Sequence, residues 1–206
     1  METPFTTLHL DARAVRVLAQ PLRTRLLTAL RVGGPATATA LARSLDTNTG
    51  ATSYHLRKLA SVGLVEETDE GRGRERWWRA STPSHGWTER DVAGDPDAEA
   101  ASDWLRRHYL RSFLERYERW LDQSTDESLD WRDAAESGDA ELRLSPDGLR
   151  AFQAELAELL QRYRQPSPDD PEARRVAFYY HAFPVDTAAD EPDVDRSPGT
   201  SSEPRG

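Results

Sequence analysis

The chain has 206 residues, of which 37% are hydrophobic and 31% charged, and its net charge is −9. It contains no cysteine, which excludes disulfides, thiolate-held zinc and thiol redox sensing. No run of 18 apolar residues is present, and the N-terminus lacks a basic start followed by an apolar core. We therefore expect a cytoplasmic protein with no secretory signal and no contact with a membrane.

The charge is divided unevenly along the chain. Residues 1–85 hold 12 basic and 8 acidic residues, a balance of +4, whereas residues 86–206 hold 15 and 28, a balance of −13. A mildly basic module therefore precedes an acidic one. The acidic half either orients the protein on a polyanion by repulsion or simply aids solubility, and the sequence leaves both interpretations open.

Local signals in the first 65 residues predict four helices. Asp11 can cap the first helix, and Pro21 suits the first turn of the second. Gly33-Gly34-Pro35 ends the second helix, and Thr37 or Thr39 opens the third. After a polar turn at 46–48, the fourth helix runs to residue 62, where a glycine can cap its C-terminus.

A hairpin follows the fourth helix. Residues 64–68 and 75–80 are predicted strands, and the turn between them, at 69–74, contains two glycines. Trp77 and Trp78 point to opposite faces of the returning strand, so one of them should pack on the helices.

Spacing in the rest of the chain predicts two long helices and several short strands. Apolar and aromatic residues recur at steps of three and four over 98–123 and again from the Ser145-Pro146-Asp147 start to residue 164. Residues 129–131, 142–144 and 174–185 are strand candidates. Residues 83–96 show no periodicity, and the tail is acidic and rich in Pro, Ser and Gly.

The fourth helix has the properties of a DNA-reading element. Its leading end, 47–51, is small or polar, so nothing bulky blocks entry into a major groove. Arg57 suits a guanine or a phosphate, Lys58 a phosphate, and Tyr54 a thymine methyl group or a phosphate. The candidate DNA-contacting residues of this helix are Asn48, Thr49, Gly50, Ser53, Tyr54, Arg57 and Lys58.

The hairpin adds a second candidate contact. Arginine on a protruding two-stranded tip suits the minor groove and phosphates, and Arg72, Arg74 and Arg76 lie there. Asp69, Glu70 and Glu75 offset part of this charge.

Residues 11–82 resemble the ArsR-type winged helix-turn-helix transcriptional regulators, in a form frequent in actinobacteria. The segments that carry the resemblance are GATSYHLRKLASVGLVEE and GRGRERWWRA. The resemblance implies that Thr49, Ser53, Tyr54 and Arg57 lie on double-stranded DNA. It implies a local packing role for His55, and it implies a homodimer that reads a palindrome.

The helix over 98–123 is the expected dimerisation element, because its aromatic stripe is wider than one small domain needs. The alternative is that this helix only closes the core of its own chain. The candidate dimerisation residues are Trp104, Tyr109, Phe113, Tyr117 and Trp120.

We predict no metal ligand, no cofactor and no catalytic residue. Many ArsR-type proteins sense metals through cysteines on the helix before the reading helix, but TATALARSLD offers neither Cys nor His there. The sequence shows no phosphate loop and no nucleophile motif. The aromatic C-terminal half leaves two alternatives open: a regulator whose DNA binding responds to a small organic ligand, or an adaptor for a protein partner.

The expected fold class is α+β, with an N-terminal winged helix-turn-helix domain, a long dimerisation helix and a small C-terminal α/β region. The expected boundaries are residues 1–82 for the DNA-binding domain and 83–97 for a linker. Residues 98–185 are expected to form a dimerisation and effector domain, and 186–206 a disordered acidic tail.

Overall fold

The computed structural model describes residues 8–68, 75–163 and 172–185. The wing tip predicted at 69–74, with Arg72 and Arg74, and the tail predicted at 186–206 lie outside the described residues. The chain divides into two compact units, Met1–Pro168 and Asp169–Gly206.

Four helices form where the local signals predicted them. They are α1 (Ala12–Leu18), α2 (Pro21–Gly33), α3 (Ala38–Ser44) and α4 (Thr49–Ala60). The Asp11 carboxylate accepts the Ala14 N–H at 2.7 Å and caps α1. The helices bury leucine and valine side chains in one core, among them Val15, Leu18, Leu26, Leu56 and Leu59.

A three-stranded antiparallel sheet borders the helices, in the order β1-β3-β2. Strands β2 (Val65–Thr68) and β3 (Trp77–Ala80) form the predicted hairpin, with Val65 opposite Ala80 and Thr68 opposite Trp77. Gly63, at a φ of 73°, makes the left-handed turn between α4 and the hairpin. Trp78 is the tryptophan that packs on the helices, since only 4% of it is exposed.

Strand β1 (Ala36–Thr37) was not predicted. It pairs with β3, with Ala36 opposite Trp78, and then leads directly into α3. The Thr37 hydroxyl accepts the Ala40 N–H at 3.1 Å, so one residue both pairs in the sheet and caps the helix. Two residues are too few to show an alternating pattern in the sequence.

The segment predicted as a linker at 83–97 packs on the core. It contains α5 (Glu89–Val92), and Val92 is buried. The Trp87 indole N–H donates to the Ser102 hydroxyl at 2.7 Å and ties the segment to the next helix. The absence of a 3.6-residue period here reflects a short helix between turns.

Helix α6 (Pro96–Gln123) has two different halves. Its N-terminal half packs against α1 and buries Ala98, Ala101, Ser102 and Leu105 in the common core. Its C-terminal half exposes Leu110, Leu114 and Leu121. A 3₁₀ turn (Ser124–Asp126) ends the helix.

The predicted C-terminal strands are wrong. Residues 129–131 lie in helix α7 (Leu129–Ala134), for which the Ser128 hydroxyl accepts the Trp131 N–H at 3.4 Å. Residues 142–144 and 174–185 have no regular secondary structure, and none of the described residues pairs with them as a neighbouring strand. An apolar pattern favours a strand only where such a neighbour accepts its backbone hydrogen bonds.

Helix α8 (Pro146–Tyr163) forms as predicted, and none of its residues is buried. Among the described helices, none is long and apolar enough to cross a membrane.

Candidate nucleic-acid interface

A polar turn fixes the start of α4. Asp46 adopts a left-handed φ of 50°, which aspartate tolerates, and the Thr47 N–H donates to the Ala42 carbonyl at 2.9 Å. The Asn48 side chain then accepts the Ala51 N–H at 2.8 Å and caps α4. A Cβ on Gly50 would lie 3.4 Å from the Asn48 side-chain oxygen, so glycine keeps this cap uncrowded.

The candidate reading residues of α4 share one accessible face. Ser53 is half-buried, and the other six are exposed: Asn48, Thr49, Gly50, Tyr54, Arg57 and Lys58. The face therefore combines a small leading end with two cations about two helical turns further on. These are the features that a helix needs to enter a major groove and contact base edges or phosphates.

The opposite face of α4 holds the helix on the core. Leu56, Leu59 and Thr52 are fully buried there. Thr52 can be buried because its hydroxyl donates to the Asn48 carbonyl at 3.0 Å. The spacing of apolar residues alone does not predict the burial of Thr52, because it does not show that a local acceptor satisfies the hydroxyl.

His55 connects the reading helix to α2. Its Nδ1 accepts the Arg23 Nε–H at 3.2 Å, and the Arg23 guanidinium also donates to the Val17 carbonyl. Burial, followed by the nearby Arg23 charge, lowers the pKa of His55. A neutral His55 is thus a positioning residue, in agreement with the packing role that the resemblance implies.

Tyr54 and Lys58 act as a pair on the exposed face. The Lys58 ammonium lies 5.6 Å from the centroid of the Tyr54 ring, and the Tyr54 ring meets the His55 ring edge-on at 5.2 Å. These contacts hold the exposed tyrosine beside the cation. The pair can place an aromatic edge and a positive charge against one strand of a duplex.

The described part of the wing has its arginines paired with glutamates of the neighbouring strand. Arg76 Nη1 lies 2.9 Å from a Glu67 oxygen, and Arg79 Nε lies 2.8 Å from a Glu66 oxygen. In the sequence, Asp69, Glu70 and Glu75 are the acids expected to offset the charge of the hairpin arginines. Strand pairing brings Glu66 and Glu67 alongside these arginines, so Arg76 must exchange a carboxylate for a phosphate if it contacts DNA.

A polar network beneath the wing joins α2 to α6. Arg31 donates through Nε to the Thr82 carbonyl at 3.0 Å and through Nη1 to His85 Nδ1 at 2.7 Å. The other ring nitrogen of His85, Nε2, lies 3.0 Å from the Tyr109 hydroxyl. Because Arg31 can only donate, His85 is neutral with its proton on Nε2.

Burial sets the protonation states in this network. Burial, and next the charge of Arg31, lowers the pKa of His85 to about 3. Burial also raises the pKa of Tyr109 above its usual range and lowers that of Arg31. A neutral imidazole therefore bridges a guanidinium and a phenol, which fixes the base of the wing against α6.

The predicted dimerisation residues fall into two groups. Trp104 stacks on His108 with ring centroids 4.9 Å apart, and Tyr109 belongs to the network of Arg31 and His85. Both residues therefore make contacts within their own chain. Phe113 stacks on Tyr117 at 5.9 Å, and these two rings and Trp120 are half-buried.

The predicted dimerisation residues do not include the exposed leucines of the same helix. Leu110, Leu114 and Leu121 are each more than 40% exposed, and with Tyr117 they follow steps of four, three and four residues. This spacing forms a narrow apolar seam along the C-terminal half of α6. Heptad spacing in the sequence predicts this seam, whereas the positions of the aromatic residues alone do not.

No group of three His, Cys, Asp or Glu side chains within the described ranges is placed to hold a metal ion. His108 Nε2 lies 3.1 Å from the Thr24 hydroxyl, and both ring nitrogens of His85 have partners. These two histidines are thus occupied by hydrogen bonds.

Residues 18–68 match the family model of a helix-turn-helix domain. No curated protein matches the chain. The chain is also similar to solved structures. One is the homodimeric winged helix-turn-helix DNA-binding domain of a possible ArsR-family transcriptional regulator from Mycobacterium bovis. It is 24% identical, the match covers 51% of this chain and 77% of that one, and the TM-score is 0.33.

Two further solved structures are similar. A possible transcriptional regulator for arsenical resistance is 27% identical, with 63% and 99% of the two chains covered and a TM-score of 0.30. Lactococcus lactis ZitR, as its C30AH42A mutant, is 14% identical, with 70% and 75% covered and a TM-score of 0.30. The helix-turn-helix match and the arrangement of α3, α4 and the hairpin together define the domain.

The N-terminal part of the chain is a winged helix-turn-helix domain, the class of fold that DNA-binding transcriptional regulators use to place a helix in the major groove. The match and the geometry confirm the predicted helix-turn-helix fold of this domain.

Proposed function

We propose that the protein is a transcriptional regulator that binds a palindromic operator in double-stranded DNA as a homodimer and needs no metal to do so. The observation that carries this proposal is the accessible polar face of α4, from Asn48 to Lys58, mounted on a fully packed opposite face. A recognition helix has to be rigid on one side and accessible on the other.

The residues of α4 take different parts in the proposed complex. Arg57 reads a base, because it lies on the accessible face about two turns beyond the leading end and no ion pair of its side chain is seen within the described residues. Asn48, Thr49, Gly50 and Ser53 make the close approach. Tyr54 and Lys58 contact the backbone together, since contacts to phosphates position a protein and contacts to bases specify the sequence.

The wing adds affinity more than selectivity in this proposal. Arg72 and Arg74 are assigned to it from the sequence alone, and Arg76 joins them by releasing Glu67. Surface ion pairs of this kind are worth only about 0–1 kcal/mol, so a phosphate can replace the carboxylate at little cost.

The homodimer forms through the C-terminal half of α6. The seam of Leu110, Leu114, Tyr117 and Leu121 leaves large apolar side chains in contact with water in the single chain. Pairing two such helices about a two-fold axis removes this surface from water and presents two α4 helices to two half-sites. The solved M. bovis domain to which this chain is similar is itself homodimeric.

The proposed function can be tested by DNA binding of the purified full chain. Wild-type protein should shift a selected operator fragment with an affinity that falls steeply as salt is raised. Arg57→Ala should lose the preference for that fragment, and Arg132→Ala, which removes an exposed charge on α7, should not. Equal binding of operator and random DNA by the wild type would contradict the proposal.

A further inference from the structure

Helix α8 carries an apolar seam along its whole length. Its apolar residues alternate at steps of three and four, and no residue of the helix is buried. The exposed fraction is 42% for Phe152, 40% for Leu159 and 81% for Tyr163. The full seam is Leu149, Phe152, Leu156, Leu159 and Tyr163. Steps of three and four are the a and d spacing of a coiled coil.

The two flanks of this seam differ. Glu155 and Arg162, seven residues apart, lie on one flank, and Leu160 lies on the other. A shallow groove runs along the charged flank and is lined by Phe152, Glu155, Leu156, Glu158, Leu159 and Arg162. Within the described residues, neither Glu155 nor Arg162 forms an ion pair. The surface is therefore apolar along its centre and carries opposite charges at two fixed positions.

We propose that α8 pairs antiparallel with α8 of a second copy of this chain, about a two-fold axis. In this register Leu156 faces Leu159 of the second copy, and Phe152 faces its Tyr163. Glu155 then faces Arg162 of the second copy on one side, and the symmetry repeats the pair. On the other flank, Leu160 of each copy lies within one helical turn of the axis. This inference extends the proposed homodimer and rests on it.

The charges of Glu155 and Arg162 favour this register over the alternative registers. A shift of one heptad in one direction would place Glu155 against Glu155, and a shift in the other would place Arg162 against Arg162. Parallel pairing would set Glu155 against Leu160 of the second copy. Only the proposed antiparallel register pairs opposite charges on both sides while it keeps the apolar seam in contact.

The length of α8 explains why the second copy is the expected occupant. Eighteen residues span about 27 Å, little more than two heptads, and so short a pair is weak by itself. When the α6 seam holds two chains together, the two α8 helices meet at a high effective concentration. A separate partner would have to bind the same short surface without that advantage.

A charge exchange tests the register in the full chain. Glu155→Arg and Arg162→Glu should each weaken the dimer about tenfold, because two attractive pairs become two repulsive ones. The double variant should return to within about threefold of the wild-type dissociation constant. Gln161→Arg, which places the same arginine on the outward face, is the control and should change nothing. Sedimentation equilibrium measures all four variants.

Cross-linking tests the same contact independently, because the chain contains no cysteine. Leu160→Cys should be joined into covalent dimers by a short bis-maleimide, and Ala154→Cys, on the opposite face of α8, should not. If dimers persist but Leu160→Cys stays uncoupled and the charge exchange has no effect, α8 does not pair with its counterpart and the inference is wrong. If the wild type is monomeric, the proposed homodimer fails instead.

Discussion

The buried network beneath the wing makes stability depend on pH in a defined way. His85 has a folded pKa of about 3, against 6.5 for an ordinary histidine. Between pH 6.5 and pH 3, His85 therefore binds a proton in the unfolded chain but not in the folded chain. The contribution of His85 to stability is complete above pH 6.5 and is lost as the pH falls through that window.

At pH 5 the expected loss from this one residue is about 2 kcal/mol, since each pKa unit corresponds to about 1.4 kcal/mol and pH 5 lies 1.5 units below the unfolded pKa. His85→Gln keeps an acceptor for Arg31 and a donor for Tyr109 but cannot titrate. Its free energy of unfolding should fall less between pH 7.5 and pH 5 than that of the wild type, by about 2 kcal/mol.

Urea unfolding at one fixed protein concentration provides the measurement, because dimerisation makes the apparent stability depend on concentration. His55 and His108, whose pKa values are also lowered, titrate alike in both proteins, so the difference isolates His85. His181→Gln, at an exposed histidine, is the control and should follow the wild type. Equal pH dependence of the wild type and His85→Gln would refute the reasoning.

Three further results are expected. Arg57→Ala should reduce the binding free energy by about 1–3 kcal/mol at the operator and by less on random DNA, whereas Arg74→Ala should weaken binding to both DNAs alike. Competition binding at constant salt measures this, and equal effects of Arg57→Ala on both DNAs would show that Arg57 does not read a base. Leu114→Glu should raise the dissociation constant of the dimer at least about tenfold in sedimentation. Arg119→Gln makes the same change of charge on the outer face of α6 and should leave that constant unchanged. An intact Leu114→Glu dimer would place the interface elsewhere. A chelator should leave the operator complex intact, and stoichiometric zinc or nickel should change the affinity for the operator by less than about tenfold, or 1.4 kcal/mol. A larger change would contradict the proposal that binding needs no metal.

The helices of the N-terminal domain could be predicted because their limits are set locally. Asp11, Asn48 and Gly63 each act within three residues of themselves, as caps or as a left-handed turn. The accessible face of α4 follows from the same local rule, since the spacing of a helix alone decides which residues point away from Leu56 and Leu59.

Contacts between distant residues could not be predicted in this way. Arg31 and His85 are 54 positions apart, and nothing in the surrounding sequence pairs them. The segment at 83–97 was predicted as a linker because its four-residue helix is too short to show a period. The C-terminal strands failed for the opposite reason: residues 174–185 have an apolar alternation, but a strand also needs a neighbour that the pattern cannot reveal.

The wing shows the same limit at the candidate site. Its arginines were visible in the sequence, but the carboxylates that hold Arg76 and Arg79 come from the facing strand. Register decides which side chains meet across a hairpin, and the order of residues along one strand does not give it.

Selection of genomic DNA fragments by the purified full chain tests the central claim most directly. The proposed function predicts that the recovered fragments share an inverted repeat with half-sites about one or two helical turns apart. Arg57→Ala protein, put through the same selection, should recover no such repeat, and Arg132→Ala protein should recover the same one. Recovery of fragments without any common sequence by the wild type would contradict the claim that α4 reads a palindromic operator.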